Sequence, residues 1–325
     1  GVPRTVDLDG PAGLTAQALG TGECQVYQNN ILIGATWSND MAAKMGTAIA
    51  NEMMAYGWTG WYGPAANIHR TAFCGRNCEY YSEDPVLSGY MSAAEVASCA
   101  EGGVICFIKH YALNSQEVNR QGNICTWANE QTTRELYLRV WEIYVKNCTM
   151  TVNYYAPDDN GDLVMTSKEM PAANGIMTSY NLVGATWAAS NTATTYNILR
   201  DEWGFTGTSL TDAINNATEY MDPTAALYSG ATDICLSQVV LGDTDNDLAL
   251  KRLQNAAKNV LYNKANSNCL QLNGLVPGTT ITYGMAPWRV GLMVGWGVVA
   301  VIWLLCIVVM VNTYRKNRKG QVKAA

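Results

Sequence analysis

Apolar and polar positions along the chain fall into alternating blocks of two periods. Between Asn39 and Ala55 apolar residues recur at helical spacing (Met41, Met45, Ile49), with Ser38 placed as N-cap. Trp58–Tyr62 is strand-like and runs into a polar loop. Asp84-Pro85 opens a second helix that runs to about Glu101, with proline in its first turn. After Gly102-Gly103 comes Val104-Ile105-Cys106-Phe107-Ile108, an apolar run of the kind found in a strand buried on both faces. It stops abruptly at Lys109-His110. The same punctuation repeats: a helix over 130–146, a strand over 175–179 ending at Tyr180-Asn181, a helix over 192–202, and a strand over 207–211 ending at Asp212. Alanine-rich 224–228, a strand over 231–236 and a helix over 245–263 complete the series. The stretch 148–173 holds Pro157-Asp158-Asp159-Asn160-Gly161 and little periodicity, and reads as an excursion from the pattern.

Strands alternating with helices, with polar residues gathered where strands end, predict a (β/α) TIM-like barrel. The first segment, Gly1 to Leu14, ends a short apolar run at Asp9 before Gly-Pro, a strand end and turn. An open doubly wound sheet is the alternative, but no Gly-rich phosphate loop follows a strand. On the barrel reading Asp9, the Asn67 loop, Lys109-His110, Tyr180 and Asp212 share one rim.

The far end is different in kind. Val290 to Val311 is 22 residues without a charge, flanked by Trp288 and Tyr314, which is the length and edging of a transmembrane helix rather than of a core helix. Five of the six basic residues after Trp288 lie beyond the span, with no acid among them. The tail is therefore expected in the cytoplasm and the globular part outside, giving a single-pass protein of the cell membrane. The sequence divides into a barrel domain over 1–265, a linker over 266–287, the membrane helix over 288–312 and a basic tail over 313–325.

Charge narrows the partners. The chain carries −6 overall, but residues 1–288 hold 15 bases against 27 acids, a balance of −12 that suits no nucleic acid. Nine of the ten cysteines lie outside the span. Their spacing fits no metal motif, several read as small buried hydrophobes, and Cys74–Cys78 is the one close pair that invites a bridge.

Chemistry concentrates in Asn67 to Pro85 (NIHRTAFCGRNCEYYSEDP), which mixes Asn, His, Arg, Tyr and three carboxylates, side chains that grip polyols. Taken singly, Asp212 reads as a helix N-cap and Lys109-His110 as an ordinary strand end. Converging on one barrel mouth they offer cations, a histidine and carboxylates, which suits sugar hydrolysis: a carboxylate nucleophile, a second carboxylic acid, and donors for the ring hydroxyls. Zinc on His69 and His110 competes, but no third ligand is evident and Arg70 and Lys109 would repel the ion.

The motifs DGPAG (Asp9–Gly13), GPAANIHRT (Gly63–Thr71), GRNCEYYSEDP (Gly75–Pro85), IKHYALNSQE (Ile108–Glu117), MTSYN (Met177–Asn181), LRDEWGFTG (Leu199–Gly207) and LTD (Leu210–Asp212) occur in this order. Together they resemble the barrel domain of family-3 glycoside hydrolases, the β-glucosidase group. The resemblance implies that Asp212 is the catalytic nucleophile and that Asp9, Arg76, Lys109, His110 and Tyr180 hold the nonreducing sugar. Asn67, His69, Arg70 and Glu79 would form the supporting shell. It implies no metal or organic cofactor. The N-acetylglucosamine branch is disfavoured, because Lys109-His110 is followed by Tyr-Ala-Leu-Asn and the chain has no third histidine.

Two positions depart from the family pattern. Gly13-Leu14-Thr15 lacks the arginine expected two residues after the last Gly of DGPxG, and Ala213 replaces the Trp that commonly follows the nucleophile. Tyr155, or the 149–173 excursion as a whole, is a candidate to wall the open side. In this family the general acid comes from a separate α/β sandwich domain. The run from barrel to membrane span resembles members in which the sandwich precedes the barrel, which implies that this domain and the barrel's first element lie upstream of Gly1. Glu79, Glu83, Glu117 and Glu219 are available carboxylates, none privileged. The expected activity is a retaining, exo-acting β-glucosidase, with a β-xylosidase or α-arabinofuranosidase specificity, or a catalytically silent sugar-binding surface protein, as alternatives.

Overall fold

The computed structural model describes residues 2–15, 24–120, 124–214, 220–237, 239–275 and 284–323, with side chains as far as 317. It divides into two compact units, Gly1–Val276 and Pro277–Ala325.

In the first unit the strands, in chain order, are β1 (Asp7–Asp9), β2 (Gly60–Tyr62), β3 (Ile105–Tyr111), β4 (Cys125–Thr126), β5 (Thr149–Pro157), β6 (Leu163–Pro171), β7 (Gly175–Thr178), β8 (Leu182–Val183), β9 (Thr186–Trp187) and β10 (Thr208–Thr211). Five of them make one parallel sheet in the order β1-β2-β3-β7-β10. Every residue of β3, β7 and β10 is buried, as expected of a parallel sheet covered on both faces. Because all five strands point the same way, their last residues come out along one edge.

The helices start where their caps stand. Ser38 accepts from Met41 N at the head of Asn39–Tyr56, and Asp84 accepts from Val86 N and Leu87 N at the head of Pro85–Glu101. Both helices pack on the sheet through Ile49, Met53, Met91 and Val96. Their close approach rests on Gly46, where an added Cβ would stand 2.0 Å from the Glu95 carbonyl oxygen. Trp61 is fully buried and donates its indole N–H to the Gly10 carbonyl at 2.9 Å, so one of the largest core side chains also ties down the chain after β1.

Two sequence expectations are corrected. The 148–173 stretch is a β-hairpin, β5 paired antiparallel with β6 over nine residue pairs. Its turn is Asp158-Asp159-Asn160-Gly161, with Asp158 accepting from Asn160 N and Asp162 N. The hairpin springs from the rim where strands begin, close to Gly102-Gly103 and Asn268, so Tyr155 cannot wall a site at the strand ends. Segment 231–236 makes only a bridge, Ile234 beside Leu210. Asp233 turns inward, accepting from Ser209 N at 2.9 Å and Arg200 at 2.6 Å, and so takes a donor that a further strand would need. The helices expected over 192–202 and 130–146 are present, with Ala193–Glu202 wound as a π-helix and Thr133–Tyr137 likewise between Glu130–Thr132 and Arg139–Asn147. In Ala193–Glu202 the Tyr111 hydroxyl donates to the Thr194 carbonyl at 2.7 Å, an intrusion of the kind that widens a helical turn. The Cys74–Cys78 bridge is not formed.

The second unit is dominated by a helix over Pro287–Lys323, whose 31 residues Pro287–Asn317 are long and apolar enough to cross a membrane.

One ionisable group lies deep in the core. Glu95 is fully buried, accepts from the Tyr81 hydroxyl at 2.5 Å, and burial pushes its carboxyl from 4.5 up to about 8. The native state therefore holds a proton that the unfolded chain releases as pH rises above about 4.5, so this group's contribution favours folding at low pH and fades as pH climbs toward 8. Glu95→Gln should flatten the decline of urea stability between pH 5 and 8 by on the order of a few kcal/mol. Equal slopes in the two proteins would contradict a protonated Glu95.

Candidate active site

The edge where the parallel strands end collects the polar residues. β1 delivers Asp9, β3 delivers Lys109 and His110, and the residues just after β7 and β10 are Tyr180 and Asp212. A register shift between Lys109 and Tyr111 ends the regular ladder of β3 against β7. The turn there is held by Asn67, whose amide donates to the His110 carbonyl at 2.9 Å and accepts from His110 N at 2.8 Å. Lys109, buried, forms an ion pair with Asp9, whose side chain is 59% exposed. Burial of the ammonium thus ends in a partner that still faces solvent.

Asp212 sits beyond the last residue of β10, its N–H on the Thr178 carbonyl and its Oδ1 accepting from Ala213 N at 2.8 Å. Its Oδ2 lies 3.9 Å from His110 Nε2 and 4.0 Å from Arg120 Nη1. Burial raises its carboxyl above the ordinary 3.8, opposed by the Ala213 N–H and by the cations Arg120, Lys109 and Arg76. The His110 imidazole is driven well below 6.5, first by burial and then by Arg76, Lys109 and Arg120. The His110–Asp212 contact is therefore a neutral imidazole beside a carboxyl, not an ion pair.

Arg76 rises on the loop before Pro85–Glu101 and reaches Glu79 through Nη2 at 2.7 Å and Nε at 3.2 Å. Its Nη1 is 3.9 Å from Glu117. His69 Nε2 stands at 2.9 Å and 3.0 Å from the Asn77 and Tyr80 carbonyls, fastening this loop to itself. Arg70 does not join the cluster around Asp212; it is exposed and lines a neighbouring cavity. Glu219 lies outside the described residues.

The residue that the sequence analysis passed over is Arg120. It donates to Glu117 at 3.0 Å, lies near Asp212, and stacks its guanidinium 4.6 Å over the Tyr180 ring. It belongs to a loop read only as a connector, although the i,i+3 spacing of Glu117 and Arg120 within EVNR was a usable signal of a paired acid and base. Glu117 accepts from Asn114 on one oxygen and Arg120 on the other, so both oxygens face donors. That suits an anchoring role better than that of a proton donor.

Comparison with known proteins decides the family. The profile of the glycosyl hydrolase family 3 N-terminal domain matches residues 2–265. The chain belongs to glycosyl hydrolase family 3. A beta-glucosidase of Ruminococcus albus is 32% identical over 275 residues, which cover 80% of this chain and 26% of the relative. Beta-glucosidase A of Butyrivibrio fibrisolvens is 40% identical over 146 residues, 45% of this chain and 18% of that one. The structure of beta-glucosidase 3B from Thermotoga neapolitana in complex with glucose superposes with a TM-score of 0.67 at 27% identity, over 85% of this chain and 37% of that chain. The fold is thus the TIM-like α/β barrel of the family-3 N-terminal domain. This chain spans between about a fifth and a quarter of the length of these two curated relatives.

The electrostatics yield a titration test. If Arg120 holds down the Asp212 carboxyl, Arg120→Gln should move the midpoint of the Asp212 side-chain carbon-13 shift further above 3.8 than in the unaltered protein. A midpoint unmoved by the substitution would remove Arg120 from the site.

Proposed function

We propose that this chain carries the nucleophile-bearing barrel of a retaining, exo-acting β-glucosidase that removes terminal β-D-glucosyl residues through a covalent intermediate on Asp212. The observation that carries the reading is the Asp212 carboxyl at a strand end, within 4.0 Å of both His110 and Arg120. Asp9 and Lys109 lie on the same edge. The curated relatives that match are named beta-glucosidases, in support of the substrate class.

In this mechanism Asp212 attacks the anomeric carbon as the aglycone oxygen leaves, and water later releases the sugar. Asp9 accepts from ring hydroxyls; Lys109 and Arg76 donate to others. His110, neutral, offers a hydrogen bond without competing as a base. Arg120 keeps the nucleophile ionised against burial and steadies Tyr180 beneath it. The carboxylic acid that protonates the leaving oxygen comes from a part of the protein outside this chain, consistent with the fraction of its relatives that the chain spans.

The helix over Pro287–Asn317 anchors the protein in the cell membrane, with the barrel outside and the basic tail in the cytoplasm. The support is its length and hydropathy and the one-sided bases after it. Exposed Ala213, where a wall would stand, favours the second reading, a sugar-binding surface protein without turnover.

An activated 2-deoxy-2-fluoro-β-glucoside with a dinitrophenolate leaving group needs little protonation to react, so it separates the two readings on this chain alone. The nucleophile reading expects one covalent label on the Asp212 peptide, absent in Asp212→Ala; reversible binding without a label favours the silent protein. For the anchor, protease added to intact cells should digest the barrel and spare the tail, and the reverse pattern would invert the orientation.

A further inference from the structure

Beside the catalytic cluster lies a cavity of about 260 Å³ that the mechanism above does not use. It is lined by Arg70, Leu113–Gln116, Ile124–Trp127, Tyr137 and Asn181. Three of these residues carry a buried side-chain oxygen without a hydrogen-bond partner: Asn114 Oδ1, Ser115 Oγ and Asn181 Oδ1. The amide orientations are set by their other ends. Asn114 Nδ2 donates to Glu117 at 3.1 Å and Asn181 Nδ2 to the Ala112 carbonyl at 3.1 Å, so in each case an acceptor oxygen is left over. Three of the fourteen such buried atoms among the described residues fall in this one lining, and each costs free energy until a donor reaches it.

The mouth of the cavity has its own chemistry. Trp127 is 74% exposed, with its ring edge 3.6 Å from the position of a Cβ at Gly184, a left-handed glycine. An indole held at a polar pocket offers a flat apolar face, and Arg70 adds a cationic donor. Two amide oxygens and a hydroxyl ask for hydroxyl donors and would repel an anion's oxygens. The volume falls just below the roughly 300–1,000 Å³ of drug-sized sites, so a single ring is the natural occupant.

We propose that this cavity is a second carbohydrate site, taking one neutral pyranose, with its apolar face on Trp127 and its hydroxyls on Asn114, Ser115 and Asn181. It is separate from the cluster around Asp212. The Asn114–Glu117 hydrogen bond joins the two, since Glu117 in turn holds Arg120. Occupancy of the cavity therefore bears on the arginine beside Asp212 without any contact of the bound ring with Asp212.

Calorimetric titration of the whole chain with methyl β-D-glucopyranoside tests this, performed on an Asp212→Asn background so that no turnover intrudes. The cavity should contribute one binding event beyond any at the Asp212 cluster. Trp127→Ala, at an exposed rim where folding is not at stake, should weaken that event by about tenfold, the loss of one good contact. Ser115→Leu should abolish that event alone by filling the cavity, with circular dichroism confirming the fold. No binding at all, or isotherms that coincide in the background, Trp127→Ala and Ser115→Leu proteins, would overturn the proposal and leave the cavity to water. Because the fluoro-glycoside label reports on Asp212 alone, either assignment can fail while the other stands.

Discussion

The burial of β3 is the constraint from which the site follows. Seven consecutive residues, Ile105–Tyr111, are buried at every position, yet two of them are a lysine and a histidine. An ammonium taken out of water is costly unless a partner is brought to it, and a buried imidazole stays neutral. The chain answers with Asp9 on the neighbouring side of the sheet, with the Asn67 amide closed over the His110 peptide, and with Asp212 facing the imidazole. Each partner comes from a different strand end. The parallel sheet is what makes those ends adjacent, so fold and site are satisfied by the same register.

Around that centre the electrostatics are layered. Burial pushes the Asp212 carboxyl up, and Arg120, Lys109 and Arg76 pull it back. The same cations, added to burial, hold His110 neutral. Glu79 and Glu117 then pin Arg76 and Arg120, so the cations themselves are oriented rather than floating in solvent. A carboxyl held in this way depends on the loop carrying Glu117 and Arg120 as well as on the strand ends.

Much of the frame was legible in the sequence because its signals are local. The helix at Asn39 and the helix at Pro85 announce themselves by caps and by apolar residues at one turn's spacing, and their observed bounds, Asn39–Tyr56 and Pro85–Glu101, stay close to the expected ones. The apolar run before Lys109 likewise marked a doubly covered strand. The hairpin of β5 and β6 was missed because its exposed strands lack a buried face to set a period: Tyr155, Leu163 and Met165 are all more than half exposed. The strand expected at 231–236 failed for a different reason. Its apolar flanks look strand-like, but Asp233 is committed to Arg200 and Ser209, contacts that no neighbour in sequence reveals.

The order of residue types along the chain was enough to determine the α/β alternation, the apolar C-terminal helix and the family to which the barrel belongs, since periodicity, caps and motif spacing are properties of neighbours. It also named the residues at the strand ends as one group. Only the tertiary structure decided which of them act on one another. It put Arg120 beside Asp212, turned Arg70 away toward a second cavity, and carried the 148–173 segment to the opposite rim. Those outcomes depend on charges and polar atoms meeting across tens of residues under burial, where the cost of leaving one unpaired, rather than any local preference, chooses the partner.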